Sequence, residues 1–303
     1  MATHESSLWR AMPLVERERE YSPSSSIGGN YQPFIAAYKT QSSDARAHCQ
    51  RLGATWHALR YGPKPAHKID LCVPRVSAAQ VGNGPGLLVF LHGGYWQELS
   101  AQDSLFAASG CIEHGHAFAA IDYTLAPLAT LVQIVDECRQ ALRFLAAQAA
   151  EFKFDPARVV VAGSSAGAHL AALLAWPQWR DASAATAFCP VRAAVLVSGV
   201  YELEPLVGTG INAALGLDAA AARDVSPGLL ALSGFPQTAI AWGAIETREF
   251  KRQSQTFARD LALTGCLVET LEVPQRNHFD VILDLADART PLGARTLALL
   301  NSD

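Results

Sequence analysis

The sequence of 303 residues predicts an α/β fold with a mostly parallel central sheet and helices on both faces. Two observations support this prediction. Apolar runs of strand length recur along the chain, and segments of helical character separate them. The runs lack polar–apolar alternation, which is typical of strands covered on both faces. Half of the residues are apolar, so the chain can bury one large core, and we expect a single domain over residues 1–303.

Composition and charge exclude several classes of function. The formal net charge of -4 at pH 7 leaves no basic surplus for binding nucleic acid or an anionic membrane. The sequence contains no apolar run as long as a membrane span, and its first twenty residues include the charged run Glu16–Glu20 and no apolar stretch like that of a signal peptide. The six cysteines are scattered without a C-x-x-C pair, which favours reduced thiols. We therefore expect a cytoplasmic protein with neither a nucleic-acid nor a membrane partner.

The first elements precede the sheet core. The chain is charged at first and then rich in serine and glycine through about residue 30, and we expect the N-terminal segment 1–66 to pack over the core. An amphipathic pattern predicts a helix over Phe34–Leu52, and Trp56–Tyr61 is predicted as a short strand. A strand over His67–Val73 follows, ahead of a glycine-rich hairpin loop at Gly82–Gly86.

The core strands are predicted from residue 87 onwards. Their ranges are Leu87–Leu91, Ala117–Ile121, Val159–Val161, Ala194–Val197, Thr238–Trp242 and Leu267–Val273. The helical segments between them lie near Gln102–Glu113, Leu131–Ala149, Gly167–Ala175 and Phe250–Thr264. The connection 201–236 has no clear strand, and we expect it to contribute to a lid or a pocket wall.

A G-x-S-x-G motif occupies residues 163–167, directly after the strand Val159–Val161 and at the start of a helical stretch. In this setting the glycines permit a tight turn, and Ser165 projects from the sheet edge at a helix N-terminus. We predict that Ser165 is a nucleophile and that the backbone N–H of Ala166 donates to an oxyanion. The alternative is a glycine-rich strand-to-helix turn without a chemical role.

A nucleophilic serine needs a general base and a carboxylate that orients it. His278 follows the last predicted strand, where this chain order places the base, and we predict that role for it. Glu246 follows the strand Thr238–Trp242 and is predicted to hold the imidazole of His278. Two other carboxylates lie nearby. Glu249 is close in sequence, and Asp280 is better explained as a helix N-terminal residue.

A second group of oxyanion donors is predicted at His92–Trp96, directly after the strand Leu87–Leu91. Consecutive glycines let the backbone approach a ligand and point its N–H groups at it. We assign the second donor to the backbone of Gly94 or Tyr95, with Gly93 shaping the turn. The alternative is an ordinary turn after a strand.

Together these motifs resemble the kynurenine formamidases (arylformamidases), an α/β-hydrolase family related to esterases of the hormone-sensitive-lipase type. The resemblance extends through Tyr21–Ser24, His92–Gln97, Ala126–Pro127, Ser165–Ala172, Leu196–Pro205, Glu249–Phe250, Arg252–Ser254 and His278–Phe279. The sequence departs from the family at two positions. Glu246 stands where aspartate is usual, and Ser164 replaces a histidine often found before the nucleophile.

The resemblance implies hydrolysis of N-formyl-L-kynurenine through a formyl-serine intermediate, without a metal or organic cofactor. It also favours an aromatic wall on the leaving-group side of the pocket. The candidates for this wall are Tyr95, Trp96 and Tyr123, with ordinary packing as their alternative. The alternative function is a general carboxylesterase on small or aryl esters. A non-catalytic ligand-binding protein is disfavoured because every expected active-site residue is present. The family often forms dimers, so a homodimer is one expectation.

Overall fold

The computed structural model describes residues 9–75, 84–177 and 191–302. Within them, eight strands form one sheet in the order β1-β2-β4-β3-β5-β6-β7-β8. The strands are β1 (Thr55–Arg60), β2 (Lys68–Val73), β3 (Leu87–Leu91), β4 (Ala117–Ile121), β5 (Val159–Ser164), β6 (Val191–Val197), β7 (Gln237–Ile245) and β8 (Val268–Asn277). The pairings of β1 with β2 and of β2 with β4 are antiparallel, and the others are parallel. The predicted mostly parallel sheet is confirmed.

Helices cover both faces of this sheet. The α-helices are α1 (Leu14–Glu20), α2 (Gln32–Arg51), α3 (Ala108–Glu113), α4 (Leu131–Ala147), α5 (Ala149–Phe152), α6 (Ala166–Ala175), α7 (Asn212–Leu215), α8 (Ala219–Asp224), α9 (Arg248–Leu263) and α10 (Pro291–Asn301). Short 3₁₀ helices span Pro23–Ile27, Ala101–Ser104, Glu204–Leu206, Pro227–Leu229 and Val281–Ala286. Buried residues of α4, α6 and α9 belong to one apolar cluster, and those of α2, α3 and α10 belong to the other.

The central strand β3 shows why continuous apolar runs form this sheet. Leu87, Val89 and Leu91 belong to one apolar cluster, whereas Leu88 and Phe90 belong to the other. Successive side chains of a strand point to opposite faces, so a strand covered on both sides is apolar at every position. Burial of each such side chain contributes roughly 1.5–3 kcal/mol to folding.

The last strand is longer than predicted. Whereas the sequence predicts a strand that ends at Val273, β8 continues to Asn277, the residue before His278. The register with β7 is irregular beyond Val273, and Gln275 has a φ of 60°. Because β8 lies at the sheet edge, Pro274 is tolerated there despite its missing N–H.

Other differences are local. The predicted helix Gln102–Glu113 is divided into the 3₁₀ helix Ala101–Ser104 and α3, and α1 and α10 were not predicted. In the connection 201–236 the chain forms short helices and no strand. Residues 82 and 83 of the predicted hairpin loop lie outside the described residues. None of the described helices has both the length and the hydropathy needed to cross a membrane.

Candidate active site

Ser165 occupies a sharp turn between β5 and α6. Its φ of 57° and ψ of -120° are rare for a residue with a side chain, so the turn holds backbone strain at this position. A Cβ on Gly163 would lie 2.2 Å from the carbonyl oxygen of Gly167, and one on Gly167 would lie 2.0 Å from that of Leu91. Both positions therefore require glycine, and the two glycines allow the turn to pack against the sheet.

Glu246 and His278 form a buried hydrogen-bonded pair. The Oε2 atom of Glu246 lies 3.0 Å from Nδ1 of His278. The other carboxylate oxygen, Oε1, accepts hydrogen bonds of 2.6 Å from the Ser198 hydroxyl and of 2.6 Å from the Gly243 N–H. This pairing favours the tautomer with a proton on Nδ1 and leaves Nε2 as the proton-accepting nitrogen. Nε2 has no hydrogen-bond partner within the described part of the chain.

The two rival carboxylates have other partners. Glu249 accepts hydrogen bonds from the guanidinium of Arg252, with an Nη2–Oε2 distance of 2.8 Å. Asp280 accepts a hydrogen bond of 2.7 Å from the backbone N–H of Asn277 and precedes a 3₁₀ helix. In this geometry Glu246 is the carboxylate paired with the imidazole of His278.

Three backbone N–H groups near Ser165 lack an acceptor among the described residues; they belong to Gly94, Tyr95 and Ala166. Gly94 and Tyr95 have φ values of 89° and 48°, so the backbone turns sharply there. Ala166 is the first residue of α6, where an N–H has no acceptor within the helix. A Cβ on Gly93 would lie 3.4 Å from the Cβ of Ser165, so the glycine loop lies against the nucleophile turn. This arrangement suits the binding of an oxyanion.

The nucleophile, the base and the glycine loop line one cavity of about 280 Å³. Ser165, His278, Gly93, Gly94 and Tyr95 all line it. Its other walls comprise Glu18, Ser22, Pro23, Ser24, Tyr31, Ile35, Tyr38, Phe90, Glu98, Leu99, Ser104, Phe106, Ser164, Thr209, Gly210, Ile211, Phe279 and Ile282. The cavity therefore joins the predicted nucleophile and base to walls contributed by the N-terminal segment and by residues 209–211.

Of the three candidates for an aromatic pocket wall, Tyr95 lines the cavity, whereas Trp96 and Tyr123 do not. Trp96 is completely buried and packs edge-on against His169, with ring centroids 5.0 Å apart. Tyr123 stacks on the His92 ring and donates a hydrogen bond of 2.9 Å to the His92 carbonyl. Both side chains thus support the turns behind the site.

Tyr31, Tyr38 and Phe279 also line the cavity, and the sequence did not predict these three as pocket residues. Tyr31 stacks on Phe279 with ring centroids 5.4 Å apart, and Phe34 stacks on the same ring at 5.7 Å. The Tyr38 hydroxyl donates a hydrogen bond to the Phe279 carbonyl. Helix α2 supplies Tyr38, which lines the cavity, and Phe34, which contacts Phe279 without lining it, so only tertiary packing brings both residues to Phe279. The available signal was Phe279, the aromatic residue that follows His278.

Two further histidines near the site are structural. Burial lowers the pKa of His92 to about 4 and that of His169 to about 4, so both are neutral at pH 7. His169 donates a hydrogen bond of 2.7 Å from Nε2 to the Val225 carbonyl. No group of three or more His, Cys, Asp or Glu side chains in the described ranges is arranged to hold a metal ion.

Comparison with known proteins identifies the family. The family model described as BD-FAE matches residues 69–204. The chain is 30% identical over 288 residues to a kynurenine formamidase of Salmo salar, with 93% of this chain and 94% of that protein covered. The chain belongs to the kynurenine formamidase family. A kynurenine formamidase of Danio rerio is 28% identical, with 92% and 94% of the two chains covered.

Solved structures show that other proteins share this fold. A thioesterase candidate from Silicibacter sp. tm1040 is 27% identical, with a TM-score of 0.77 and coverage of 93% of this chain and 98% of that chain. An esterase of Pyrobaculum calidifontis, 16% identical with a TM-score of 0.67 over 88% and 92% of the two chains, shares the fold. This kynurenine formamidase family member is therefore a hydrolase with the α/β-hydrolase fold, and its substrate is a small molecule.

Proposed function

We propose that the protein hydrolyses the formamide of N-formyl-L-kynurenine to kynurenine and formate, a step of tryptophan degradation. One observation carries the proposal. Ser165 and His278, whose Nδ1 pairs with Glu246, line a single cavity of a chain that belongs to the kynurenine formamidase family. The family supplies the substrate class, and the cavity supplies a nucleophile, a base and oxyanion donors for acyl transfer.

Acylation begins at Ser165. His278 Nε2 accepts the hydroxyl proton as the serine oxygen attacks the formyl carbon, and Glu246 stabilises the imidazolium that forms. The N–H groups of Ala166 and of Gly94 or Tyr95 hold the negative oxygen of the tetrahedral intermediate. His278 then gives its proton to the aniline nitrogen, the carbon–nitrogen bond breaks, and kynurenine leaves a formyl ester on Ser165.

Deacylation repeats these steps with water. His278 accepts a proton from a water molecule, which attacks the formyl ester carbon. The same backbone donors hold the second oxyanion. Collapse of that intermediate returns the proton to the serine oxygen and releases formate. Each substrate molecule therefore consumes one water and restores Ser165.

In this proposal residues 1–303 act as a single domain. The N-terminal segment 1–66 and the connection 201–236 complete its active site. Ser22 and Tyr38 of the N-terminal segment 1–66 line the cavity, and so does Thr209 of the connection 201–236. We propose that both segments are pocket walls. The reactive groups are thereby shielded from bulk water, which strengthens their electrostatic interactions.

We further propose that the enzyme acts in the cytoplasm, as a homodimer like many members of its family. The described cysteines Cys49, Cys72, Cys111, Cys138 and Cys266 are free thiols, as expected in a reducing compartment. Light scattering coupled to size-exclusion chromatography tests the homodimer, and a mass of one chain would contradict it.

The decisive experiment compares N-formyl-L-kynurenine with p-nitrophenyl acetate in one kcat/KM assay. The wild type should prefer the formamide, and Ser165→Ala should lose at least roughly 10³-fold in kcat because the nucleophile is gone. Ser164→Ala is the matched control, since Ser164 lines the same cavity one residue earlier and should keep its activity. A wild type that prefers the ester by orders of magnitude would instead support the general carboxylesterase.

A further inference from the structure

The carboxylate side chains at the rim of the cavity give it a negative charge. Glu18 and Glu98 line it, and no lysine or arginine of the described residues does. Both carboxylates are exposed to solvent, whereas Ser165 and His278 are buried. Neither acid forms an ion pair with a described side chain, although Glu18 accepts a hydrogen bond of 3.1 Å from the Gly210 N–H. The cavity thus has a buried reactive end and an anionic mouth.

Glu98 is built into the loop that carries the proposed oxyanion donors. Its N–H donates a hydrogen bond of 3.1 Å to the Gly94 carbonyl. A Cβ on Gly94 would lie 2.8 Å from the Cγ of Glu98, so the stem of the acid packs directly over that glycine. The carboxylate is therefore held by the same turn that faces the nucleophile.

An aromatic wall connects this carboxylate with the proposed base. Partial burial raises the pKa of Glu98, and a hydrogen bond from the Tyr31 hydroxyl to the Glu98 carboxylate opposes part of this rise. The Tyr31 ring stacks on Phe279 at an interplanar angle of 10°. Phe279 directly follows His278, so the wall runs from the base to the anionic mouth.

We propose that Glu98 binds the ammonium group of the substrate while the aryl ring of the substrate lies along Tyr31 and Phe279. The proposal rests on the proposed formamidase function and names the substrate class that this site prefers, aryl formamides with a cationic side chain. In this pose the formamide nitrogen faces His278, and the ammonium extends towards Glu98 at the mouth. The carboxylate of N-formyl-L-kynurenine meets no cationic side chain in the lining and stays in solvent.

A comparison of four formamides distinguishes the effect of the substrate's ammonium from the effect of its carboxylate. N-formyl-L-kynurenine carries an ammonium and a carboxylate, N-formylkynuramine only the ammonium, N-formylanthranilate only the carboxylate, and formanilide neither. In the wild type, kcat/KM for N-formylkynuramine should match or exceed that for N-formyl-L-kynurenine. N-formylanthranilate should be a poorer substrate than formanilide, because its carboxylate meets the negative rim.

Glu98→Gln tests the residue itself. This substitution should lower the ratio of kcat/KM for N-formylkynuramine over formanilide by roughly tenfold, mainly through KM, because it removes one charge-assisted hydrogen bond. Glu98→Lys should move the preference towards N-formylanthranilate. Glu151→Gln is the matched control, since Glu151 is an exposed acid on α5 and does not line the cavity.

If neither Glu98 variant folds, the salt dependence of the substrate preference of the wild type tests the proposal instead. Added salt screens charges near the surface, so the preference for N-formylkynuramine over formanilide should fall as ionic strength rises. An unchanged ratio in Glu98→Gln, or a salt-independent ratio in the wild type, would overturn the assignment of Glu98. A wild type that hydrolyses none of the formamides would instead overturn the proposed function.

Discussion

The Oε2 atom of Glu246 lies 3.0 Å from Nδ1 of His278, at the position where the sequence resemblance leads us to expect the shorter aspartate. The additional methylene is accommodated because the carboxylate folds back towards the end of β7. There Oε1 accepts hydrogen bonds from Ser198 and from the Gly243 N–H, both 2.6 Å long. Three hydrogen bonds therefore fix the carboxylate, and the glutamate reaches the imidazole in spite of its greater length.

Glu246→Gln should lower kcat by about 10³- to 10⁴-fold, because a neutral amide does not stabilise the imidazolium and can favour the wrong tautomer. KM should change little, since Glu246 does not line the cavity. Steady-state kinetics on N-formyl-L-kynurenine measures both quantities. Asp280→Asn is the control, and a larger loss in that variant than in Glu246→Gln would assign the orienting role to Asp280.

The glycines of the nucleophile turn should tolerate no side chain. In Gly167→Ala the new Cβ would lie 2.0 Å from the Leu91 carbonyl oxygen, so backbone must move and the free energy of unfolding should fall by at least about 3 kcal/mol. Activity should fall in the folded fraction as well, because Ser165 is displaced. Urea unfolding and kcat measure these effects. In the control Gly84→Ala the nearest atom is 3.4 Å away, and a comparable loss there would contradict the steric explanation.

Tyr21 connects the N-terminal segment to α9 through side-chain hydrogen bonds. Its hydroxyl donates to Glu249 at 2.9 Å and accepts from Gln253 at 3.0 Å, and the residue is buried. Tyr21→Phe leaves both partners without this hydroxyl, so the free energy of unfolding should fall by about 1–3 kcal/mol in a urea titration. Tyr201→Phe is the matched control, because the buried Tyr201 hydroxyl donates to no described acceptor. Equal losses in the two variants would show that the hydrogen bonds do not matter.

The parts of the fold that depend on local sequence could be predicted. The strands β3 and β4 have the predicted bounds because each is a continuous apolar run buried on both faces. The end of β8 could not be predicted in this way. Pro274 suggests a break, and only its position at the sheet edge, a property of the whole sheet, allows the strand to continue.

The same distinction applies to the site. Ser165 and His278 could be proposed from motif and chain order, and the structure brings both to one cavity. The position of Trp96 could not be predicted, because its φ of 59° is unusual for a tryptophan and its side chain is completely buried against His169. Tyr31 was missed because it reaches the cavity through packing against Phe279, some 250 residues away along the chain.

Stability should fall on mild acidification because of buried neutral histidines. Burial lowers the pKa of His169 to about 4, so between that value and about pH 6.5 the unfolded chain binds more protons than the folded one. The free energy of unfolding therefore decreases as the pH falls, and His169 alone should account for about 2 kcal/mol between pH 7 and pH 5. Urea titrations at both values measure this decrease. His169→Gln should show a smaller decrease than the wild type. If the free energy of unfolding of His169→Gln decreased as much as that of the wild type, His169 would be excluded as the source of the decrease.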